Sequence, residues 1–371
     1  MDMFKLVCDK QELSEAVQGV GKAVSERSPI TALEGILFRL NGATLELTGY
    51  DLEIGIRTSV SVRSADKGQV VCDAKLFTEI IRKMPEGELL IEVSDNLQVR
   101  ISGGMTEYQI PACAADEYPE LPVTGEGESF ALPQGVLKSM IGESLFAVSQ
   151  KDDKPILRGE LFEIDNGVMN LVALDGHRLA VRTESVKNDG GLKFVVPAKS
   201  LSEVARLLKD DDAAGCTIHA SKKHIIFEFK GYFVYSRLLE GEFHPYRSAI
   251  PKGGSTEVVV STKDFISCLD RASLLINEKI SSPVKCVFGD GKINVSCSTM
   301  FGAVNDDVYA DITGPVIKIG FKCKYLLDAL KAVKSDKVRL SLDGSWLPMK
   351  ILPVKGDAFL YLVLPVKIKA D

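Results

Sequence analysis

The sequence predicts an α+β fold built from three similar domains. Three observations predict it: a repeat about a third of the chain long, a recurring order of helices and hairpins, and a charged stripe kept in register. Leu33-Glu34-Gly35-Ile36-Leu37-Phe38 recurs 124 positions later as Leu157-Arg158-Gly159-Glu160-Leu161-Phe162. At the same offset Leu47, Gly49 and Asp51 become Leu171, Ala173 and Asp175. Lys75, Glu79 and Arg82 become Lys199, Glu203 and Arg206, then Lys324, Asp328 and Lys331 after a further 125. A repeat of this length is a whole domain rather than a solenoid unit. The 371 residues hold three copies, with domains expected over 1–122, 123–251 and 252–371.

Each third opens with a helix, expected over Asp9–Glu26, about Pro133–Val148, and Thr262–Asn277. Apolar residues recur there at helical spacing, as Phe265, Leu269, Ala272 and Ile276 do. Alternating strands follow, as in Leu37-Phe38-Arg39-Leu40, turned at Asn41-Gly42 into Leu45-Glu46-Leu47. A second helix is expected over Asp73–Met84, Pro197–Lys209 and Lys322–Lys334. Pro197 suits a helix opening, because the N–H it lacks is one a first turn leaves unbonded. Further strands such as Leu89–Val93 and His224–Phe229 close the unit. Polar, Gly- and Pro-containing stretches at 121–128 and 250–255 mark the linkers. Helix, hairpins, helix, hairpins is the order of an antiparallel sheet with helices gathered on one face.

Bulk properties narrow the function classes. Hydrophobic content of 45% and charge of 26% are those of an ordinary globular protein. Met1-Asp2-Met3-Phe4-Lys5-Leu6 has no basic stretch leading into a long apolar one, so no secretory signal is expected. No run approaches the length of a membrane-spanning helix, so no membrane partner is expected. The eight cysteines (Cys8, Cys72, Cys113, Cys216, Cys268, Cys286, Cys297, Cys323) are scattered without a C-x-x-C pair. They read as reduced core thiols of a cytoplasmic protein, with no cofactor. The histidines His177, His219, His224 and His244 show no metal-ligand spacing. Asp175 and His177 could seed an enzyme reading. A D-x-H spacing is common by chance, however, and no P-loop, G-x-S-x-G or H-E-x-x-H accompanies it, so no catalytic residue is expected.

The charge distribution is more telling than its sum. On the second helix Glu79 and Arg82 lie within about 40° of Lys75 at ~100° per residue, while Phe77, Ile80, Ile81 and Met84 take the other side. Residues 73–84, 197–209 and 321–334 carry ten basic and four acidic side chains, within a chain of net charge −6. The basic ones are Lys75, Arg82, Lys83, Lys199, Arg206, Lys209, Lys322, Lys324, Lys331 and Lys334. One such helix is an ordinary solvated face. Three in register point to a shared electrostatic role, a phosphate backbone held without sequence readout. Few aromatics interleave, which favours duplex over single strands. A collar of helices about 10 Å thick around a duplex roughly 20 Å wide needs on the order of eleven helices. One chain offers six, so encirclement requires two chains, head to tail in a closed ring.

Four segments carry family-level motifs: Leu171-Val172-Ala173-Leu174-Asp175-Gly176-His177-Arg178-Leu179-Ala180-Val181, and Phe243-His244-Pro245-Tyr246-Arg247 with Ile250-Pro251. The others are Ile319-Gly320-Phe321 with Tyr325-Leu326-Leu327-Asp328-Ala329-Leu330, and Tyr361-Leu362-Val363-Leu364-Pro365-Val366-Lys367. Through these the chain resembles the bacterial sliding clamp family, the beta subunit of DNA polymerase III. The resemblance implies a DNA clamp fold, a homodimeric ring with sheets outside and helices lining a central hole. Such a ring encloses double-stranded DNA and has no active site. The implied partners are the DNA polymerase III alpha subunit, the delta subunit of the clamp loader and other proteins bearing a clamp-binding motif.

The resemblance also implies site residues. The DNA-facing set is Arg27, Lys75, Arg82, Lys83, Lys151, Lys154, Lys199, Arg206, Lys324 and Lys331. A pocket for a short apolar partner peptide would use Leu157, Leu174, Gly176, His177, Arg178 and Leu179. It would add Pro245, Arg247, Pro348, Leu362, Leu364, Pro365 and Val366. An apolar basin with a few polar orienting groups suits peptide capture. Tyr108 would meet Leu274 and Leu275 of a second copy. Two features depart from the family pattern: the order Phe243-His244-Pro245-Tyr246, where proline and then aspartate usually follow the phenylalanine, and a tail running past Lys367 to Asp371. The competing reading is a monomeric three-domain protein-interaction scaffold, whose lysine stripes are only solvated faces.

Overall fold

Asp9, Asp73 and Ser261 set where three of the helices start. The Asp9 carboxylate accepts from Gln11 N at 2.8 Å and Glu12 N at 3.1 Å, opening α1 (Lys10–Val20). Asp73 accepts from Leu76 N at 2.7 Å, opening α2 (Ala74–Lys83), and Ser261 accepts from Asp264 N at 3.3 Å, opening α5 (Thr262–Ser273). Each satisfies an N–H that the first turn leaves without a partner. The remaining helices are α3 (Gln134–Ser144), α4 (Ala198–Leu207) and α6 (Cys323–Ala332). Asp73 is therefore a cap rather than a helical residue. Pro197 ends the strand before α4 instead of occupying its first turn. The first helices are shorter than expected, because α1 and α3 tighten into 3₁₀ turns at Gly21–Ala23 and Leu145–Ala147.

The computed structural model describes residues 2–25, 27–122, 127–151, 153–188, 190–276 and 282–368. The expected helix ends at Glu26 and Asn277, much of the first linker and the final residues of the tail lie outside these. The described residues form two compact units, Met1–Leu137 with Glu203–Leu238, and Lys138–Ser202 with Leu239–Asp371.

In the first unit, a four-stranded sheet runs in the order Asp2–Asp9, Glu88–Ser94, Gln98–Gly103, Thr106–Pro111. An eight-stranded sheet lies beside it. Its two halves join where Ile54–Ser61 pairs antiparallel with Tyr232–Arg237, Val234 opposite Ile56. In the second unit the same join occurs one repeat later. Arg178–Ser185 pairs antiparallel with Phe359–Val363, Leu179 opposite Leu362, inside a sheet of twelve strands. All the pairings are antiparallel, as the hairpin-rich sequence predicts.

The helices bury the stripe their spacing implies. Phe77, Ile80 and Ile81 of α2 are buried, as are Phe265, Cys268, Leu269 and Ala272 of α5 and Leu326, Leu327, Ala329 and Leu330 of α6. α5 and α6 share one core with Val258, Phe288, Ile319 and Tyr361. Seven cysteines are buried free thiols, and burial pushes those of Cys268 and Cys323 up to about 12, beyond reactive range at neutral pH. Cys113 departs from this pattern and is exposed.

One core residue violates the usual rule for carboxylates. Glu160 stands in the repeat where Ile36 stands in the first copy, and its side chain is fully buried. Neither carboxyl oxygen has a hydrogen-bond partner among the described residues. Ser144 is the polar side chain nearest in influence, but its hydroxyl donates to Met140 O at 2.7 Å. Burial therefore raises the Glu160 pKa well above the ordinary carboxyl value. The folded chain keeps the proton while the unfolded chain releases it, so this residue's contribution falls as pH rises through the ordinary carboxyl range. Glu160→Met should stabilise the protein by roughly 1–3 kcal/mol near neutral pH, with a smaller gain at pH 4. Urea unfolding at the two pH values checks this, and a variant less stable at both would refute it.

Candidate functional site

The strand join in the second unit brings two distant signatures together. Between the strands Val168–Leu174 and Arg178–Ser185 the chain turns through Asp175-Gly176-His177. Gly176 has φ +86°, a conformation that costs a side-chain-bearing residue on the order of 1 kcal/mol. The Asp175 carboxylate closes the turn, accepting from His177 N at 2.9 Å and Arg178 N at 3.0 Å. It also accepts from Arg178 Nε at 3.0 Å.

Arg178 is the centre of this arrangement and is only 7% exposed. One face of its guanidinium arm bonds Asp175, and its NH1 donates to Asp328 of α6 at 2.5 Å. The group sits 4.7 Å from the ring centre of Tyr325 and 5.6 Å from that of Phe146. His177 stacks on the same tyrosine with centroids 5.8 Å apart, and the Lys322 ammonium lies 4.7 Å from that ring centre. Two carboxylates and two aromatic rings thus fix one buried cation.

The C-terminal segment crosses this turn. Leu364 N donates to His177 O at 2.9 Å, and Val366 N donates to Gly320 O at 2.8 Å. A Cβ on Gly320 would come within 2.8 Å of Val366 O, so only glycine lets the tail lie this close. Underneath, Leu157, Leu179 and Leu362 are buried at 3%, 4% and 1% exposure, in one cluster with Phe243, Tyr246 and Val181. Leu174, Pro348, Leu364 and Pro365 are half-buried, and Gly176, His177 and Val366 are exposed. The structure therefore divides the predicted pocket residues into a floor, a rim and one buried anchor, Arg178.

Two predicted residues take other positions. Arg247 is tied to Glu163, NH1 at 3.0 Å and NH2 at 2.6 Å, and Tyr246 Oη donates to the same carboxylate at 2.7 Å. Burial raises the Glu163 carboxyl, but these hydrogen bonds more than offset it and hold the group below its ordinary range. In the unusual Phe243-His244-Pro245 order, Phe243 is buried while His244 and Pro245 are both exposed. His244 Nε2 lies 3.5 Å from Lys154 Nζ.

The corresponding place in the first unit is occupied. Leu52, one repeat before Gly176, holds φ +74° despite its side chain. Gly55 stands where Leu179 stands later, and Leu121 fills the space above it, 2.2 Å from where a Cβ would be. The Tyr118 hydroxyl donates to Thr48 O at 3.1 Å. The chain's own linker thus covers the first copy.

The predicted cationic residues are all exposed: Arg27, Lys75, Arg82, Lys83, Lys151, Lys154, Lys199, Arg206, Lys324 and Lys331. A cleft of about 540 Å³ in the first unit brings Arg27 and Lys75 together with Lys22, alongside Glu34, Asp73 and Glu79. Arg82 is paired with Glu79 and Arg206 with Glu203, each at 2.6 Å, and Lys331 with Asp270 at 3.0 Å.

Among the described residues, two unpaired strand flanks lie at or beside the predicted contact residues. Thr106–Pro111 ends its sheet and carries Tyr108, 39% exposed. Within the strand Gly302–Thr313, residues 302–309 pair along one flank, with Lys292–Thr299. Leu274 is 84% exposed, and its neighbour Leu275 is half-buried and approaches Gly302.

Tyr325, Asp328 and Phe146, which surround Arg178, are not among the site residues read from the sequence. A signal existed for Asp328: the third stripe replaces glutamate with the shorter aspartate.

Among the described residues no helix is long and apolar enough to cross a membrane, and no group of His, Cys, Asp and Glu could hold a metal ion. Family models for the N-terminal, central and C-terminal domains of the DNA polymerase III beta subunit match residues 4–122, 131–245 and 247–367. The beta sliding clamp of Halalkalibacterium halodurans is 35% identical, covering 97% of this chain and 99% of its own. That of Bacillus subtilis is 34% identical, covering 98% and 100%. The crystal structure of the Bacillus subtilis DNA polymerase sliding clamp superposes with a TM-score of 0.94 at 33% identity, covering 99% of this chain and 100% of the other. A DNA polymerase III beta subunit from Pseudomonas aeruginosa bound to griselimycin gives 0.92 at 26% identity, covering 98% and 100%.

Arg178→Met should destabilise the protein by roughly 3–5 kcal/mol, because it leaves Asp175 and Asp328 facing each other without their cation. Urea unfolding measures this, and a loss under 1 kcal/mol would show the pair to be incidental.

Proposed function

The chain belongs to the DNA polymerase III beta subunit family, and we propose how its own residues perform that family's task. It is a DNA sliding clamp, a non-catalytic processivity factor of replication with three clamp domains. Lys75 with Arg82, Lys199 with Arg206, and Lys324 with Lys331 face the enclosed duplex and hold its phosphates without reading bases. Arg27, Lys83, Lys151 and Lys154 extend that surface. The observation that carries this reading is the register of the stripe, exposed on the second helix of every third. A scaffold binding only proteins gives no reason for one charge pattern three times over.

The ring closes through two copies placed head to tail. The open edge at Thr106–Pro111, with Tyr108, is the surface offered to Leu274, Leu275 and the half-open strand Gly302–Thr313 of a second copy. Unpaired strand edges invite such pairing, since each carries backbone donors and acceptors with no partner. The domains run over 1–122, 123–251 and 252–371, and the protein works in the cytoplasm.

Partner proteins dock a short apolar peptide over Leu157, Leu179 and Leu362, between Leu174, Gly176, His177, Pro348, Leu364, Pro365 and Val366. Arg178 orients the rim from behind, and Pro245 with Arg247 borders it. The alpha subunit of the polymerase and the delta subunit of the clamp loader are the partners proposed for this pocket.

Two experiments test these statements. After loading onto nicked circular DNA the dimer should stay bound, and should be lost once the circle is cut. A strictly monomeric protein never trapped on circles would sink the ring. Ending the chain before Leu364 should weaken binding of an alpha-subunit peptide by at least about tenfold, the loss of the half-buried rim at Leu364 and Pro365. The same truncation should leave the dimer mass unchanged. Peptide affinity equal to that of the full chain would refute the pocket assignment.

A further inference from the structure

In the first two copies of the charged stripe the acid bonds within its own helix. Glu79 accepts from Arg82, and Glu203 accepts from Arg206, each at 2.6 Å. The third copy is wired differently. Asp328 accepts from Arg178 NH1 at 2.5 Å, across 150 positions of chain, and Lys331 is taken instead by Asp270 of α5 at 3.0 Å. The stripe has therefore given up one of its internal pairs, and the freed carboxylate holds the turn at the pocket rim.

We propose that Asp328 is a positioning residue of the peptide pocket: its carboxylate fixes the Arg178 guanidinium, and with it the turn that presents Gly176 and His177 to a bound peptide. The proposal rests on the reading of that pocket given above. A guanidinium so little exposed needs acceptors for the donors it turns inward, and here Asp175 takes one direction while Asp328 takes the other. Tyr325, three residues before Asp328 on α6, lies against both Arg178 and His177, so the helix supports the turn by charge and by stacking together. The tail is held by the same turn, through Leu364 N to His177 O at 2.9 Å. Without the Asp328 charge the guanidinium is free to swing toward Asp175 alone. The turn, His177 and the start of the tail then lose their common reference, and a peptide must order them on binding.

The test is the affinity of a fluorescent peptide carrying the clamp-binding segment of the polymerase alpha subunit. For the Asp328→Asn variant we expect the Kd to rise roughly tenfold or more, the loss of one charge-assisted bond to an orienting group. Asp328→Glu keeps a carboxylate within reach of Arg178 and should restore most of the affinity, a rescue that a purely structural defect would not show. Glu79→Gln and Glu203→Gln remove the equivalent acids of the other copies and should leave peptide affinity unchanged. Leu174→Arg, which blocks the rim itself, separates the two readings. Unchanged affinity in Leu174→Arg overturns the pocket and this proposal with it. A clear loss in Leu174→Arg with a Kd within twofold of the parent for Asp328→Asn overturns the proposal alone. If Asp328→Asn fails to fold, Arg178→Lys decides: it keeps the charge but not the fork that reaches Asp175 and Asp328 together, so the peptide Kd should rise roughly tenfold, and a Kd within twofold of the parent overturns the proposal.

Discussion

Backbone pairing between strands from different thirds of the chain is the constraint on which the functional surfaces depend. A strand at the end of a sheet carries a row of N–H and C=O groups that must find partners or face water. Here Ile54–Ser61 and Arg178–Ser185, one repeat apart, each solve this by taking up a strand from the following third. Both follow an aspartate turn, Asp51 in the first copy and Asp175 in the second. Each aspartate accepts from the N–H groups two and three residues on. A turn that fixes register to one residue also fixes which side chains meet across the join. In the second unit those are Leu179 and Leu362, the floor of the proposed pocket.

The two joins share a backbone plan and diverge in side chains. In the first, Leu52 bears the strained conformation, and Leu121 lies over Gly55, so linker and strand fill each other's space. In the second, Gly176 relieves the strain, and Leu179 supplies its own side chain to the cluster. The linker there turns Tyr246 and Arg247 toward Glu163 instead of covering the turn. One repeated element is thus sealed in one copy and, in the other, forms the floor and rim of the pocket proposed above. The difference comes down to a few residues, not to a change of fold.

Periodicity and repetition made the fold legible. The amphipathic helices, the hairpins and the threefold organisation follow from where Phe77, Ile80 and Ile81 fall against Lys75 and Arg82, and from the offset of 124. Helix ends were less legible. A last turn tightening to 3₁₀ at Gly21 or Leu145 depends on tertiary packing that local sequence does not encode. The site was legible where it lies within one segment, as at Asp175–Leu179. It was hidden where it depends on partners 150 positions apart, as at Arg178 and Asp328. Arg178 illustrates the limit: composition marks it as a polar surface group, whereas two carboxylates and two rings make it a buried anchor. Glu160 runs the other way, a charged residue type placed where the fold accepts only a neutral one.

The arrangement of the cations bears on how a clamp can hold DNA and still move along it. Strong, unopposed phosphate contacts give high affinity, and each must break for the protein to advance. Here Arg82, Arg206 and Lys331 already have carboxylate partners within about 3 Å. A paired arginine on an exposed face keeps donors for a passing phosphate but gains less from any single one, because its own carboxylate competes and salt screens both. In the DNA-facing role proposed for these cations, the three helices keep their excess of basic over acidic residues while the paired contacts stay shallow. In the proposed ring, retention then falls to topology, to a closed ring around a thread, and the charges centre the duplex rather than grip it.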